Sequence, residues 1–283
     1  MSLEDIINRL RNDMGRNFEI AVVDAFNLLG FEAEHIEETQ AESDVIVKAP
    51  QALRPYFIVV ECEAVREGAQ VSYTKLGQLR GNFPKYATRY KGFSLIYKLI
   101  VGKPEFSDDT IESSRSDTTL MTSEILIQLL EYNSRYGLSQ DEIKNLFLKL
   151  SLIREDDIEQ LYHMYKRKVK LYSFIFIGLL NKPENASLNK RDAIIHIERL
   201  IGIVKNLSYI KGMEFSDDEI YDSIRELQHP LVKIVERIEK GLKLSSLNYE
   251  NMINNLRGYG PDFRKSVESL LLDILRVRIS LTT

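Results

Sequence analysis

The sequence predicts an α/β domain over residues 1–150 followed by an all-α region over residues 151–283. Three observations carry that division. Runs of β-branched and aromatic residues bounded by Gly and Pro are confined to roughly the first hundred residues. Helical periodicity, often opened by Ser or Asp with an acidic residue soon after, fills the chain from about residue 120 onward. Between them lies SDDTIESSRSDTT, residues 107–119, whose polarity reads as a surface loop.

Element by element, apolar Ile6, Ile7 and Leu10, then Phe18, Val22, Ala25, Phe26 and Leu29, recur at helical spacing over residues 4–29, and Gly30 stands where a C-cap belongs. Two helices broken near Met14-Gly15 satisfy the pattern as well as one. FEAEHIEE alternates weakly as a first strand, and SDVIVKA is a short second one. Pro50 and Pro55 keep the next connection out of any ladder, and YFIVVECEA at 56–64 is the strongest strand in the chain. Tyr73 to Tyr90 is helical around Leu76, Leu79, Phe83 and Tyr86, with Pro84 expected to kink or split it. FSLIYKLIVGK forms another strand, closed by Gly102 and Pro104. No fixed-period repeat argues for a solenoid.

Composition bounds the function. A chain of 283 residues that is 44% apolar buries a substantial core. A single cysteine, Cys62, excludes an internal disulfide framework and suits a reducing compartment. The four histidines, without a Cys/His cluster, speak against structural zinc. The longest apolar run, LYSFIFIGLL, is about half of the ~20 residues a membrane span needs, and the charged start is unlike a signal peptide. A cytoplasmic protein without a membrane segment is the expectation. The net charge of −4 gives no overall sign of nucleic-acid binding.

The chemistry concentrates in two stretches. Strand side chains alternate, so Phe57, Val59, Glu61 and Glu63 share one face of the 56–64 strand, and Ile58, Val60, Cys62 and Ala64 the other. The two carboxylates thus project together, roughly 7 Å apart at Cα. Asp44 opens the preceding strand, and a short connection lets the two strands pair and bring Asp44 to Glu61. Glu19, mid-helix between Phe18 and Val22, is a candidate to point to the same place. Carboxylates that converge repel one another and call for a cation. Mg²⁺, with Mn²⁺ as a substitute, takes hard oxygen ligands, lowers the pKa of a bound water and stabilises charge on a phosphoryl oxygen. The plainer alternative is a strand end emerging into water with solvated glutamates.

Directly after this strand, residues 68–104 carry seven basic residues (Lys75, Arg80, Lys85, Arg89, Lys91, Lys98, Lys103) and no acidic one, interleaved with Tyr73, Phe83, Tyr86, Tyr90, Phe93 and Tyr97. A phosphate backbone calls for such sequence-independent positive surface. A solvated helix face balanced by the acidic 32–44 segment is the competing reading. The KRKVK stretch at 166–170 is a weaker signal of the same kind.

Together these residues resemble the PD-(D/E)XK, or restriction-endonuclease-like, nuclease superfamily: GRNFEIAVVDAFNLLGFEA as the opening helix, SDVIV supplying the Asp, and VVECEA the closing motif. Within it the likeness is to the cleavage domain of type IIS restriction endonucleases, in which the acidic motif is followed by a loop and a helix beginning Gly-Gln, here Gly77-Gln78 in KLGQLRGNFPKY. The later LIVGKPEF, TTLMTSEILIQLLEY and LSQDEIKNLF continue it, so that it covers about residues 12–150. The resemblance implies a central mixed sheet flanked by helices and a Mg²⁺-dependent DNA endonuclease, a type II restriction enzyme or its cleavage subunit. It makes Asp44, Glu61 and Glu63 metal ligands, with Glu63 alternatively activating the water, and Glu19 and Gln78 supporting catalytic residues. Lys75, Arg80, Lys85 and Arg89 then contact double-stranded DNA. The chain departs from the family at Glu63, where Lys is usual, and Lys75 or Lys48 is the candidate source of the missing charge. A catalytically silent nuclease-fold protein that binds nucleic acid or a partner is the alternative. Double-strand cleavage needs two centres, so a homodimer or a partner subunit is expected. The helical half is assigned to dimerisation, DNA recognition or partner contact.

Of the remaining features, Cys62 is expected to be core, His196 a packed helix residue and His229-Pro230 a kink; NAS at 185–187 has no secretory route to glycosylation.

Overall fold

The computed structural model describes residues 1–36, 43–52, 54–90, 93, 95–136, 138–181, 195–228, 235–238 and 241–244. The chain divides into two compact units, Met1–Tyr162 and His163–Thr283. The expected His229-Pro230 kink, the NAS sequence and the helical pattern of the last thirty residues lie outside the described residues.

The first unit is mixed α/β. Two helices, α1 (Leu3–Asn12) and α2 (Gly15–Leu28), open it; Ser2 and Asp5 close a capping box on α1, and the chain breaks at Met14-Gly15 rather than running through. Gly30, at φ +88°, ends α2 in the left-handed conformation that a residue without Cβ adopts at no steric cost. Strands β1 (Glu32–His35), β2 (Val45–Ala49) and β3 (Tyr56–Ala64) form an antiparallel meander. Beyond β3 the sheet turns parallel through β5 (Leu95–Lys103), β7 (Thr119–Thr122) and β8 (Ser151–Leu152), in the order β1-β2-β3-β5-β7-β8. Parallel neighbours need crossovers, supplied in turn by α3 (Thr74–Arg89), α4 (Asp108–Ser114), and the pair α5 (Ser123–Tyr136) and α6 (Gln140–Phe147). A two-stranded ribbon, β4 (Gln70–Val71) with β6 (Glu105–Phe106), flanks the main sheet.

Strand β3 is buried along seven of its nine residues, which decides the chemistry that follows. On one face, Phe57 and Val59 join a core with Leu76, Leu79 and Tyr86 of α3 and with Ile100, Phe106 and Leu120. On the other, Tyr56 meets Phe31 edge-on, and Phe31 in turn meets Phe26 of α2. A central strand covered on both faces has no solvent side on which to leave a carboxylate. Glu61 is therefore carried into the layer under α3, with 0% of its surface exposed.

Two local expectations change. Residues 108–114 form helix α4 rather than loop, because Ser107 caps it by accepting from the Thr110 N–H and Asp108 and Asp109 occupy its first turn. Pro84 lies inside α3 without ending it. Its ring removes one N–H from the ladder, but Leu76, Leu79, Asn82 and Tyr86 bury the helix on both sides of the proline, and that packing outweighs the local preference.

In the second unit, helix α7 (Glu155–Asn181) crosses the boundary and is followed by α8 (Ile197–Ile210) and α9 (Asp217–Gln228). Arg167 pairs with Glu219 at 3.0 Å, and Lys168 and the Tyr172 hydroxyl both reach Glu226. Two charges of the 166–170 cluster thus serve helix packing. His196 is exposed at the N-cap of α8 rather than packed within a helix. Residues 235–238 and 241–242, read as helical in the sequence, lie instead in an antiparallel pair, β9 (Val235–Ile238) with β10 (Gly241–Leu244). Gly241 and the alternating Leu-Lys-Leu that follows suit a ribbon better than a helix. Among the described residues, no helix is long and apolar enough to cross a membrane.

Candidate active site

Antiparallel pairing of Val45 with Val60 puts Asp44, the residue before β2, opposite Glu61. The Asp44 carboxylate is fixed from across the ladder: its Oδ2 accepts the Cys62 N–H at 2.7 Å. One residue earlier, the Ser43 N–H donates to the buried Tyr86 hydroxyl of α3 at 2.9 Å. Helix α3 also delivers the counter-charge. Lys75 Nζ lies 3.6 Å from Glu61 Oε2 and 3.7 Å from Asp44 Oδ2, close enough for ion pairing and too far for a hydrogen bond to either.

The electrostatics follow from this burial. Both oxygens of Glu61 are buried and accept no hydrogen bond. Burial, then the charge of Asp44, push the Glu61 carboxyl up to about 8, and Lys75 offsets them only in part. Asp44 is also raised, first by burial; the Cys62 N–H and Lys75 oppose this and Glu19 adds to it. Burial works against the Lys75 ammonium, but Asp44 and Glu61 outweigh it and hold Lys75 above its ordinary value. The result is a buried carboxyl pair that Lys75 alone does not hold fully ionised: Glu61 keeps its proton up to about pH 8. Cys62, between the two glutamates, points into the core, and burial raises its thiol well above the usual range, so it is no nucleophile.

The other expected residues fall into three groups. Glu63 lies next on the same face of β3, partly exposed, and its charge is felt by Lys75. Among the described residues, no three or more of His, Cys, Asp and Glu gather closely enough to hold a metal ion, so the convergence is a pair, Asp44 with Glu61, and not a triad with Glu63. Glu19 lies at the rim: its Oε2 meets His35 Nε2 at 2.7 Å, and its charge reaches Asp44. His35, opposite Val45 in the ladder, is a neighbour the sequence did not single out. Gln78 is half-buried one turn along α3 from Lys75.

The basic residues divide sharply. Arg80 is turned inward, with Nη2 at 2.7 Å and Nε at 3.1 Å from Asp117 Oδ1 and a further bond to the Ser113 carbonyl. Lys98 binds the same Asp117 at 2.7 Å. Desolvation opposes it, but these partners together hold the Asp117 carboxyl well below its usual range. Arg80 is thus scaffold and not a free DNA contact. Lys48 is no substitute for Lys75. It stands opposite Phe57, four residues along β2 from Asp44, with Nζ 2.8 Å from Glu34 and 5.2 Å from the Tyr90 ring centre. Lys85 and Arg89 are exposed on the outer side of α3.

Restriction endonucleases are among the similar solved structures. The restriction endonuclease FokI is 15% identical over 51% of this chain and 30% of its own, at a TM-score of 0.42. The small subunit of the heterodimeric restriction endonuclease R.BspD6I is 14% identical over 58% of this chain and 97% of its own, at 0.37. The MspJI restriction endonuclease in complex with a 27-mer oligonucleotide is 11% identical over 57% and 38%, at 0.30. This chain thus spans about a third of the FokI it matches. No protein-family model and no curated protein matches the sequence.

Proposed function

We propose that the first unit is a divalent-metal-dependent endonuclease that hydrolyses phosphodiester bonds in double-stranded DNA, as a type II restriction enzyme or its cleavage subunit. One observation carries the reading: Glu61 holds two buried, unbonded carboxylate oxygens beside Asp44. Native cores rarely leave such oxygens unmet, and a bound ion is one of the few groups that satisfies them. The donor set is hard oxygen, which fits Mg²⁺ or Mn²⁺. Asp44 and Glu61 would hold the ion, which when bound supplies Lewis-acid stabilisation of charge on a phosphoryl oxygen.

The chain's own groups do the rest. Lys75, within 3.7 Å of both carboxylates, brings positive charge to the centre and stands in for the lysine that position 63 lacks. Glu63, partly exposed on the same face, orients the attacking water and takes its proton. Gln78 and Glu19 support the centre from α3 and α2. Lys85 and Arg89 meet the phosphate backbone from the outer side of α3. Cutting both strands calls for two such centres, so the working form is a homodimer or includes a partner subunit. The cytoplasm, where DNA is met, is the proposed location.

Glu63 itself favours a second reading, a catalytically silent nuclease-fold protein that binds DNA or a partner, since a carboxylate replaces the cation expected there. Incubation with plasmid and unrelated linear DNA in Mg²⁺, Mn²⁺ or EDTA, beside Asp44→Ala, separates the two. Metal-dependent fragments that vanish in the variant support the endonuclease. Intact DNA in every lane, with wild-type protein that still binds DNA, supports the silent fold.

A further inference from the structure

Helix α3 meets the Ser43-Asp44 segment and its carboxylates at two places. Lys75, Leu79, Asn82 and Tyr86 are spaced by four, three and four residues, so one stripe of the helix faces the sheet. Lys75 at its start meets Asp44 and Glu61, as described above. Tyr86, three turns later and 2% exposed, holds through its hydroxyl the backbone N–H of Ser43, the residue that leads into Asp44. Asp44 is therefore fixed on two sides, by the Cys62 N–H on its carboxylate and by Tyr86 on the preceding peptide.

We propose that Tyr86 is a positioning residue for the metal centre, acting through Ser43 to set where the Asp44 carboxylate lies. This rests on the metal-centre reading above. The physical reason is geometric. Asp44 stands one residue before β2, where its carbonyl accepts the Ile36 N–H at 3.0 Å on the β1 side and its own side of the chain toward Ser43 is leaving the sheet. A ligand there needs an outside restraint, and the buried phenol supplies it. Partners that orient a ligating side chain commonly change metal affinity by about tenfold or more when removed.

The test uses the full chain and a matched control. Tyr86→Phe keeps the ring in the core and removes only the hydroxyl. Tyr56→Phe is the control: Tyr56 is equally buried, its hydroxyl donates to the Gln140 carbonyl at 2.7 Å, and it touches neither carboxylate. Mn²⁺ binding is read by calorimetry and by electron paramagnetic resonance of the bound ion, with unfolding midpoints measured in parallel. The expected result is that both variants lose similar stability, while only Tyr86→Phe weakens Mn²⁺ binding, by about tenfold, and broadens its spectrum. Equal Mn²⁺ affinity in Tyr86→Phe and wild type overturns the proposal, as does an equal loss of affinity in Tyr56→Phe. Failure of the wild type to bind Mn²⁺ at all overturns the metal-centre reading instead, so the two failures are distinguishable.

Discussion

Replacing Glu61 by glutamine should stabilise the metal-free protein, and by an amount that depends on pH. The carboxyl is buried without a hydrogen bond, and its pKa is raised from an ordinary 4.5 to about 8. Between those values the folded protein keeps a proton that the unfolded chain has released. Stability must then fall as pH rises, by about 1.4 kcal/mol per pH unit for one proton. Over the window from about 4.5 to about 8, the accumulated loss is on the order of 5 kcal/mol. Asp44 is raised as well and acts in the same direction, whereas Lys75 titrates above the window. Glutamine carries no charge at any of these pH values and abolishes Glu61's share of the slope. Urea unfolding in EDTA from pH 5 to 9 measures it. The two proteins should be nearly equal near pH 5, and the variant should lead by several kcal/mol near pH 8. Adding Mn²⁺ at pH 8 should stabilise the wild type and leave Glu61→Gln unmoved. Parallel stability curves, or a variant weaker at pH 8, would refute the argument that Glu61 is a buried charge awaiting a cation.

Three other substitutions probe the surroundings. Lys75→Met should lower DNA cleavage by about a hundredfold or more without weakening Mn²⁺ binding, because it removes a cation near the metal and no ligand; a steady-state cleavage assay paired with calorimetry checks both. Arg80→Ala should cost about 1–2 kcal/mol, its partly exposed ion pairs being discounted for screening, and leave DNA affinity unchanged in a filter-binding assay, since its guanidinium is turned onto Asp117. Gly102→Val should cost about 1–3 kcal/mol in thermal unfolding, because even a Cβ there would stand 2.5 Å from the Phe106 ring.

Much of the site was legible in the sequence because it depends on local rules. The β-branched run at 56–64 names its strand, and period two puts Glu61 and Glu63 on one face; a short connection brings Asp44 across. What the alternation could not say is that this face is covered. That is a fact of packing, set by where α3 lies, and it turns a solvated glutamate into a buried one. The choice between Lys75 and Lys48 was undecidable for the same reason. Lys48 is nearer to Asp44 in sequence, but a strand carries it about 13 Å away at its rise per residue, whereas Lys75 returns on a helix packed over the sheet. The role of Arg80 was hidden too, since Asp117 is 37 residues distant and lies beyond α4. Helix α4 itself was missed because seven residues show little periodicity; its Ser-Asp-Asp opening was the available signal. Tyr86 read as an ordinary apolar position of a helix, and no periodicity distinguishes a core phenol from one whose hydroxyl accepts the Ser43 N–H beside Asp44.

The central claim is that Asp44 and Glu61 are a metal centre. Anomalous diffraction from crystals of the protein soaked in Mn²⁺ at pH 8 tests it most directly. The account predicts a single strong peak within about 2.0–2.3 Å of an oxygen of each carboxylate, with Lys75 drawn back from its place between them. No peak at the pair, or a peak elsewhere with Lys75 still facing both carboxylates, would contradict it.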